Sequence, residues 1–356
     1  MKKSYSVNGL TALAVLLLTV VTVSAKADNS PYVSKVWEFV PAPGQFTNEL
    51  PKYEEGDDAQ AMCLKVEEQI ANNAQGMISL GAWGGYVVFS FDHPVQNVAG
   101  ENDLIVQGNA FYASAAQGAA GGGSCEPGIV MVSRDDNKNG LPDDEWYELA
   151  GSEYKNPQTI HNYSVTYERT PEDHVATPDP KKRYRIDTMH VYWVDNQGND
   201  GYIEQLSYHK QPYYPKWIDS EELTFTGSRL PDNYEQQGNQ YVLFPYQYGY
   251  VDNHPDTCKY AELNIEWAVR NDGTPIQLDE IHFVKVYTAL FQQCGAIGET
   301  STEVKGAHDL HPDVAAGLFQ TNSNARTHKQ IRNGQLQIIR NNQLYNPLGT
   351  IINNNY

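Results

Sequence analysis

The chain has 356 residues, 40% of them hydrophobic and 11% aromatic, with 44 acidic against 25 basic residues and a net charge of −19. That length suits one large β domain or two ordinary ones. Leaving aside three lysines near the start and four bases near the end, residues 28–320 carry 18 basic and 44 acidic side chains, a net −26, a field that repels nucleic acid and anionic membrane and suits cations.

Residues 1–27 read as a secretory signal: Lys2 and Lys3 precede an apolar run over 10–23, and Ala25-Lys26-Ala27 is a small-x-small cleavage site. The run is too short and wrongly flanked for a membrane span, and no later stretch is apolar enough. The expected protein is exported, at the cell surface or extracellular, with no membrane span. No cysteine near the cleavage site supports a lipid anchor. Cys63, Cys125, Cys258 and Cys294 are spaced too widely for a redox or zinc motif. In an oxidising compartment they allow two disulfides in three connectivities, with free buried thiols as the alternative.

After the signal, residues 33–46 (VSKVWEFVPAPGQF) read as a strand and a proline-rich turn. Residues 57–73 form the one convincing helix, with Ala61, Leu64, Val66 and Ile70 as its apolar stripe. From Met77 the pattern turns to short Val/Ile/Phe/Tyr runs punctuated by Gly, Asn and Pro, as in a sandwich. Residues 113–124 are a Gly/Ala/Ser loop.

A strand at Gly128–Ser133 and another at 145–150 flank the acidic loop RDDNKNGLPDDE. Asp135, Asn137 and Asn139 alternate before Gly140, as oxygen ligands 1, 3 and 5 precede the turn glycine of a calcium loop. Leu141 would add its carbonyl, and Asp143, Glu145 and Glu148 stand ready to close the shell. Trp146 occupies position 12, where a full EF-hand has glutamate. A solvated Asn/Asp/Gly hairpin is the alternative. The implied cofactor is a structural Ca2+.

Strands are expected at 163–167, 190–194 and 223–226, with a plain hairpin turn at 195–201. Trp83, Tyr112, Tyr213, Tyr214, Trp217, Tyr246 and Tyr248 offer flat faces with polar handles for a ligand, or fill a pleated surface. Residues 261–269 and 281–287 alternate as strands around an Asn271-Asp272-Gly273 turn. His308, Asp309, His311 and Asp313 are metal-capable, but nothing fixes them on one face. Residues 321–356 contain no acids and read as a linker and small hairpin-like module. The fold class is all-β, a jelly-roll-like sandwich over 28–320 with long loops and one short helix, plus this C-terminal β module.

PAPGQF (41–46), ISLGAWGGYVVFSFDHPV (78–95), NDLIVQGNAF (102–111), EPGIVMVSRDDNKNGLPDDEWYELAGSEY (126–154) and IHFVKVYTALFQQCGAIGETSTEV (281–304) together resemble a family of exported cell-surface proteins from Bacteroides-type bacteria. Several of these strands also resemble galactose-binding-like β-sandwich domains, which implies a jelly roll. The family resemblance implies association with an outer-membrane uptake system, cobalamin systems among them. The tail pieces NGQL, IIR and LYNPLG are similar to the sorting tails of such bacteria, without their lysine-rich end.

The resulting expectation is a non-catalytic, calcium-stabilised binding protein for a glycan, a cobalamin-like nutrient or a surface protein. The alternatives are an extracellular glycan hydrolase using the carboxylates Asp143, Asp144, Glu145 and Glu148, or a purely structural or adhesive surface protein. No GxSxG, HExxH or Cys/His nucleophile signature supports an enzyme.

Overall fold

The computed structural model describes residues 29–314 and three tail strands, His328–Arg332, Gln335–Arg340 and Gln343–Tyr345, which pair as an antiparallel meander. The expected signal peptide and the 321–327 linker lie outside the described residues. Among the described residues the fold is all-β apart from one α-helix and three short 3-10 turns.

Its framework is a six-stranded antiparallel sheet in the order Lys35–Val40, Tyr86–Ser90, Phe283–Thr288, Gly128–Ser133, Trp146–Leu149, Ala268–Val269. The inner strands read YVVFS, FVKVYT and GIVMVS, nearly continuous apolar runs, because both faces of the sheet are covered. On one face Val36, Phe39, Val87, Phe89, Val130, Val132, Val284 and Val286 pack with the helix and with Leu104, Val106, Leu263 and Ile265. On the other, Val40 and Tyr86 meet Tyr163, Val165, Tyr167, Val191, Ile203 and Phe225. Beside them Ile129, Met131 and Tyr287 meet Leu230, Tyr250 and Leu290. The covering layer on this second face is a four-stranded antiparallel sheet, Asp200–Leu206, Arg185–Asp195, Ile160–Glu168, Glu222–Arg229.

The two layers close around Trp83, which is fully buried and edge-on to Tyr163 at 4.8 Å. The GAWGGY segment supplies the backbone this needs. Gly81 and Gly84 take φ +70° and +90°, and a Cβ would come within 2.0 Å of the Ala42 carbonyl oxygen or 2.4 Å of Phe225 Cβ.

The helix is Ala59–Ile70, capped by Asp58, whose side chain accepts from Ala61 N at 2.8 Å. Its buried residues are Met62, Val66 and Ile70, one every four positions. Leu64 sits about 200° round the helix from Met62 and is 55% exposed, so the apolar stripe runs through Met62 instead.

Two expectations need correction. Residues 261–269 are not one alternating strand: Glu262–Leu263 and Ala268–Val269 are separated by a 3-10 turn at Ile265–Trp267. Asn264 accepts from Glu266 N, and the buried Asp103 accepts from Ile265 N at 2.8 Å and Val98 N at 2.7 Å. Side-chain oxygens thus replace strand partners. The expected disulfides are also absent: all four cysteines are free. Cys125 and Cys294 pack as small apolar groups beside Leu243, and burial pushes both thiols up to about 12.

Phe89→Ala removes a fully buried ring from the centre of the main core and is expected to cost about 3–5 kcal/mol. Leu64→Ala on the exposed helix face is expected to stay within about 0.5 kcal/mol. Urea unfolding of the two variants checks the assigned faces.

Candidate functional site

The acidic loop is a hairpin connection, because Ser133 pairs with Trp146 and Met131 with Glu148. Asp135 accepts from Asn139 N at 3.1 Å and Gly140 N at 2.9 Å, Asn137 Oδ1 accepts from Asn139 N, and Asn139 Oδ1 accepts from Leu141 N. Gly140 provides the turn at φ +75°. The amides of Asn137 and Asn139 converge on Asp143 at 2.9–3.1 Å, and these bonds hold the Asp143 carboxyl below its usual range. Five of the seven expected ligands, Asp135, Asn137, Asn139, Leu141 and Asp143, are therefore gathered in one hydrogen-bonded loop.

The other two are committed elsewhere. Glu145 accepts from the Tyr147 hydroxyl at 2.9 Å. Glu148 is on the Trp146–Leu149 strand and takes Ser228 Oγ at 2.7 Å; burial pushes its carboxyl up to about 7. Glu148 follows the strand's alternation rather than the loop.

The expected aromatic contacts do not share a face. Trp83 and Tyr213 are fully buried, and Tyr214 and Trp217 nearly so. Trp217 belongs to the main core, Trp83 and Tyr213 to the core between the two large sheets, and Tyr246 and Tyr112 to two smaller clusters. Four of the tyrosine hydroxyls are used internally: Tyr213 OH accepts from Leu206 N, Tyr214 OH donates to the Ser220 carbonyl, Tyr246 OH to the Pro231 carbonyl, and Tyr112 OH meets His254 Nδ1, whereas the indole nitrogens of Trp83 and Trp217 are buried without a hydrogen-bond partner. Tyr248 leans on Trp267 at 5.0 Å. These rings build the scaffold.

A different set of residues builds a cleft. Where Arg185–Asp195 and Asp200–Leu206 turn back on themselves, Trp193, Asp195, Asn199 and Ile203 face Arg229, Phe291, Glu299 and Thr300 across a cavity of about 200 Å3. Trp193 and Phe291 meet edge to face at 4.7 Å and form its apolar wall. Arg229 lies 5.6 Å over Phe291 and 5.3 Å over Tyr163.

Most polar groups around the cleft are spoken for. Asp195 accepts from Gln197 N, Asn199 N, Asn199 Nδ2 and the Tyr163 hydroxyl. Gln292 is locked to Asn233. Two groups are not: Glu299 Oε2 and Thr300 Oγ1 are buried and have no partner, although their residues are only 3% and 1% exposed. Buried polar groups left unpaired cost about 1–3 kcal/mol each, so they point to a group that completes them. Burial pushes Glu299 up to about 8, which leaves a neutral carboxyl able both to donate and to accept. A larger groove of about 640 Å3 runs between Lys35–Val40 and the helix. Its half-buried Glu67 and Trp37 are satisfied, Glu67 by Val36 N and Trp37 Nε1 by Ser90 Oγ, so it makes no comparable demand.

Further into the interior, Glu126, Asp252 and Glu303 each place an oxygen within 4.8 Å of the other two. Asp252, at φ +55°, accepts from Asn109 N and Glu303 N; Glu303 accepts from Ser301 Oγ. No ion pair of the described residues involves any of the three. Burial and mutual repulsion raise Glu126 and Asp252 well above the usual carboxylate range, and burial pushes Glu303 up to about 7. Burial thus favours the protonated forms within the trio.

Sequence reading missed Glu299, Glu303, Asp252 and Trp193. Val191, Trp193 and Asp195 share one face of a strand by alternation, which was a usable signal. Nothing in the spacing of GETSTEV marks its two glutamates.

A raised carboxyl destabilises the fold as pH climbs from the unfolded value to the folded one. Buried His254 and the half-buried His190, His209 and His308 are lowered by desolvation and act below about pH 6.5 with the opposite sign. Between about pH 6.5 and 8 the carboxyls act alone, so stability should fall, by roughly 2–4 °C in Tm per kcal/mol. Glu299→Gln should flatten that slope. Thermal unfolding in chelator across this window checks both; a rise in Tm with pH would contradict the assignment.

Compared with known proteins, the chain matches no family model and no curated protein.

Proposed function

We propose that this is an exported, non-catalytic binding protein that takes a single sugar ring in the Trp193–Phe291 cleft. The observation that carries the reading is the pair of unsatisfied polar groups, Glu299 Oε2 and Thr300 Oγ1, set beside an aromatic wall. A pyranose has an apolar C–H face for rings to cover and hydroxyls that donate and accept, matching a neutral carboxyl and a threonine hydroxyl. The volume favours one of the expected nutrients over the other. At about 200 Å3 the cleft is smaller than the roughly 300–1,000 Å3 of drug-sized pockets, so it suits a terminal sugar of a glycan and is far too small to enclose a corrinoid. Delivery of such a glycan to an outer-membrane uptake system is the role that agrees with the sequence resemblance. A jelly-roll-like sandwich remains the architecture we favour, supported by the face-to-face burial of the two large antiparallel sheets.

Calcium is the proposed stabiliser of the 134–145 hairpin, held by Asp135, Asn137, Asn139, Asp143 and the Leu141 carbonyl. The backbone bonds to Asp135 and the left-handed Gly140 already set the turn such a loop needs.

A hydrolase reading has one observation in its favour. Glu299, raised to about 8, and Asp195, lowered despite burial by bonds from Asn199, Tyr163 and Gln197, line the same cleft, and environments that push two carboxyls apart mark acid–base pairs. Asp195 nevertheless has its oxygens filled by four donors that build the turn, which leaves it little capacity to attack or activate water. The binding reading is therefore preferred.

Titration calorimetry against a panel of monosaccharides and short glycans should find saturable binding in the millimolar range or tighter, about −4 kcal/mol. Phe291→Ala should weaken it by roughly tenfold and Thr300→Val by roughly fivefold, the worth of a stacking face and one hydrogen bond. Binding that ignores Phe291→Ala would sink the assignment, and release of product from nitrophenyl glycosides would move the choice to the hydrolase.

For the hairpin, Ca2+ at about 100 times its Kd should add roughly 2.7 kcal/mol of stability, and Asp135→Ala should abolish that gain. Equal melting with calcium and with chelator would remove the ion.

A further inference from the structure

The outer sheet carries a second arrangement that the sugar reading does not use. His174 lies in the loop before Arg185–Asp195, and Asp187 and His190 lie on that strand. His174 Nε2 is 2.6 Å from Asp187 Oδ2, and His190 Nδ1 is 3.2 Å from the same oxygen. One ligand-competent atom from each residue lies within 4.8 Å of the others. Asp187 is 1% exposed and fixed in place, since its Oδ1 accepts from Thr177 N, Thr177 Oγ1 and Met189 N.

The nitrogens that face Asp187 Oδ2 are His174 Nε2 and His190 Nδ1. A cation held through His190 Nδ1 would leave the imidazole proton on the buried Nε2, in a ring that lies edge-on to Tyr213 at 5.0 Å. Both imidazoles also line a cavity of about 370 Å3, together with Glu168, Arg169, Tyr192 and Tyr202. The one cation there is turned aside: Arg169 lies 4.3 Å over Tyr214 and donates to the Ile218 and Ser220 carbonyls.

We infer that His174, Asp187 and His190 form a binding site for a borderline divalent cation of the zinc class, with open coordination positions facing this cavity. Two imidazoles and one carboxylate are the donors such ions take, whereas calcium and magnesium prefer oxygen alone. Ligands about 2.0–2.1 Å from a tetrahedral ion stand roughly 3.3 Å from one another. The 3.2 Å contact already has that spacing, and the 2.6 Å contact needs to open by well under 1 Å. Three protein donors rather than four leave room for water or a ligand oxygen, which separates this arrangement from a closed structural zinc site. The acidic surface concentrates cations around it.

The test uses the mature chain, freed of metal by chelation and titrated with Co2+ in excess Ca2+ so that all-oxygen sites are filled. One equivalent of Co2+ should bind with the visible absorption of a tetrahedral or five-coordinate ion. His174→Ala and His190→Ala should each weaken it by at least tenfold. His174→Cys should keep one equivalent and add a thiolate-to-cobalt charge-transfer band, a signature that a merely structural histidine would not give. Absence of stoichiometric binding in the unaltered chain would overturn the site. So would His190→Ala titrating like the parent, or His174→Cys binding Co2+ without the thiolate band.

Discussion

Covering both faces of one antiparallel sheet is the constraint from which the rest of this structure follows. Three inner strands, Tyr86–Ser90, Phe283–Thr288 and Gly128–Ser133, carry apolar residues to both sides, so neither face can be left to water. The helix and the short strands around Leu104 and Leu263 close one face. The four-stranded sheet closes the other, and the glycines of GAWGGY let Trp83 fill the seam between them. The cleft lies at the margin of that second closure, where Trp193 and Phe291 meet. Its aromatic wall is thus an extension of the interlayer core, which makes it rigid and already formed, as small-molecule sites usually are.

Charge is distributed with a similar logic. Residues 28–320 carry 44 acids, most of them on the surface, while Glu126, Glu299, Asp252 and Glu303 are drawn inside without basic partners. Burial makes ionisation costly there and shifts such groups toward their protonated forms. The consequence is chemical as well as energetic. A protonated Glu299 offers both a donor and an acceptor to a hydroxyl, which an ionised carboxylate does not.

Much of the framework was readable from sequence, because burial of whole strands writes long apolar runs. Gly128–Ser133 was read to the residue, and the capped helix to within a few positions. Two of the failures come from a side chain whose partner is distant in the chain. Asp103 breaks the strand expected over 261–269 by taking Ile265 N across 162 positions. Glu148 leaves the calcium-type loop for Ser228, 80 positions away. The tyrosines looked like a ligand face because each has a polar handle, yet those handles are spent on backbone and side-chain groups inside. His174 and His190 gave no sequence signal although Asp187 is near them in the chain, since only the fold of the Arg185–Asp195 strand and its preceding loop brings them to one oxygen. The turn over 135–143 was legible because its side-chain hydrogen bonds stay within the loop, although the Asp135 amide donates outward to His282 Nδ1 at 3.2 Å.

The central claim is that the cleft between Trp193 and Phe291 receives a sugar ring. A crystal structure of the protein soaked with the tightest-binding glycan tests it most directly. The expected result is density for one ring against Phe291 and Trp193, with its hydroxyls within hydrogen-bond distance of Glu299 Oε2 and Thr300 Oγ1. Ligand density elsewhere on the surface, with those two atoms still unpartnered and the cleft unfilled, would contradict it.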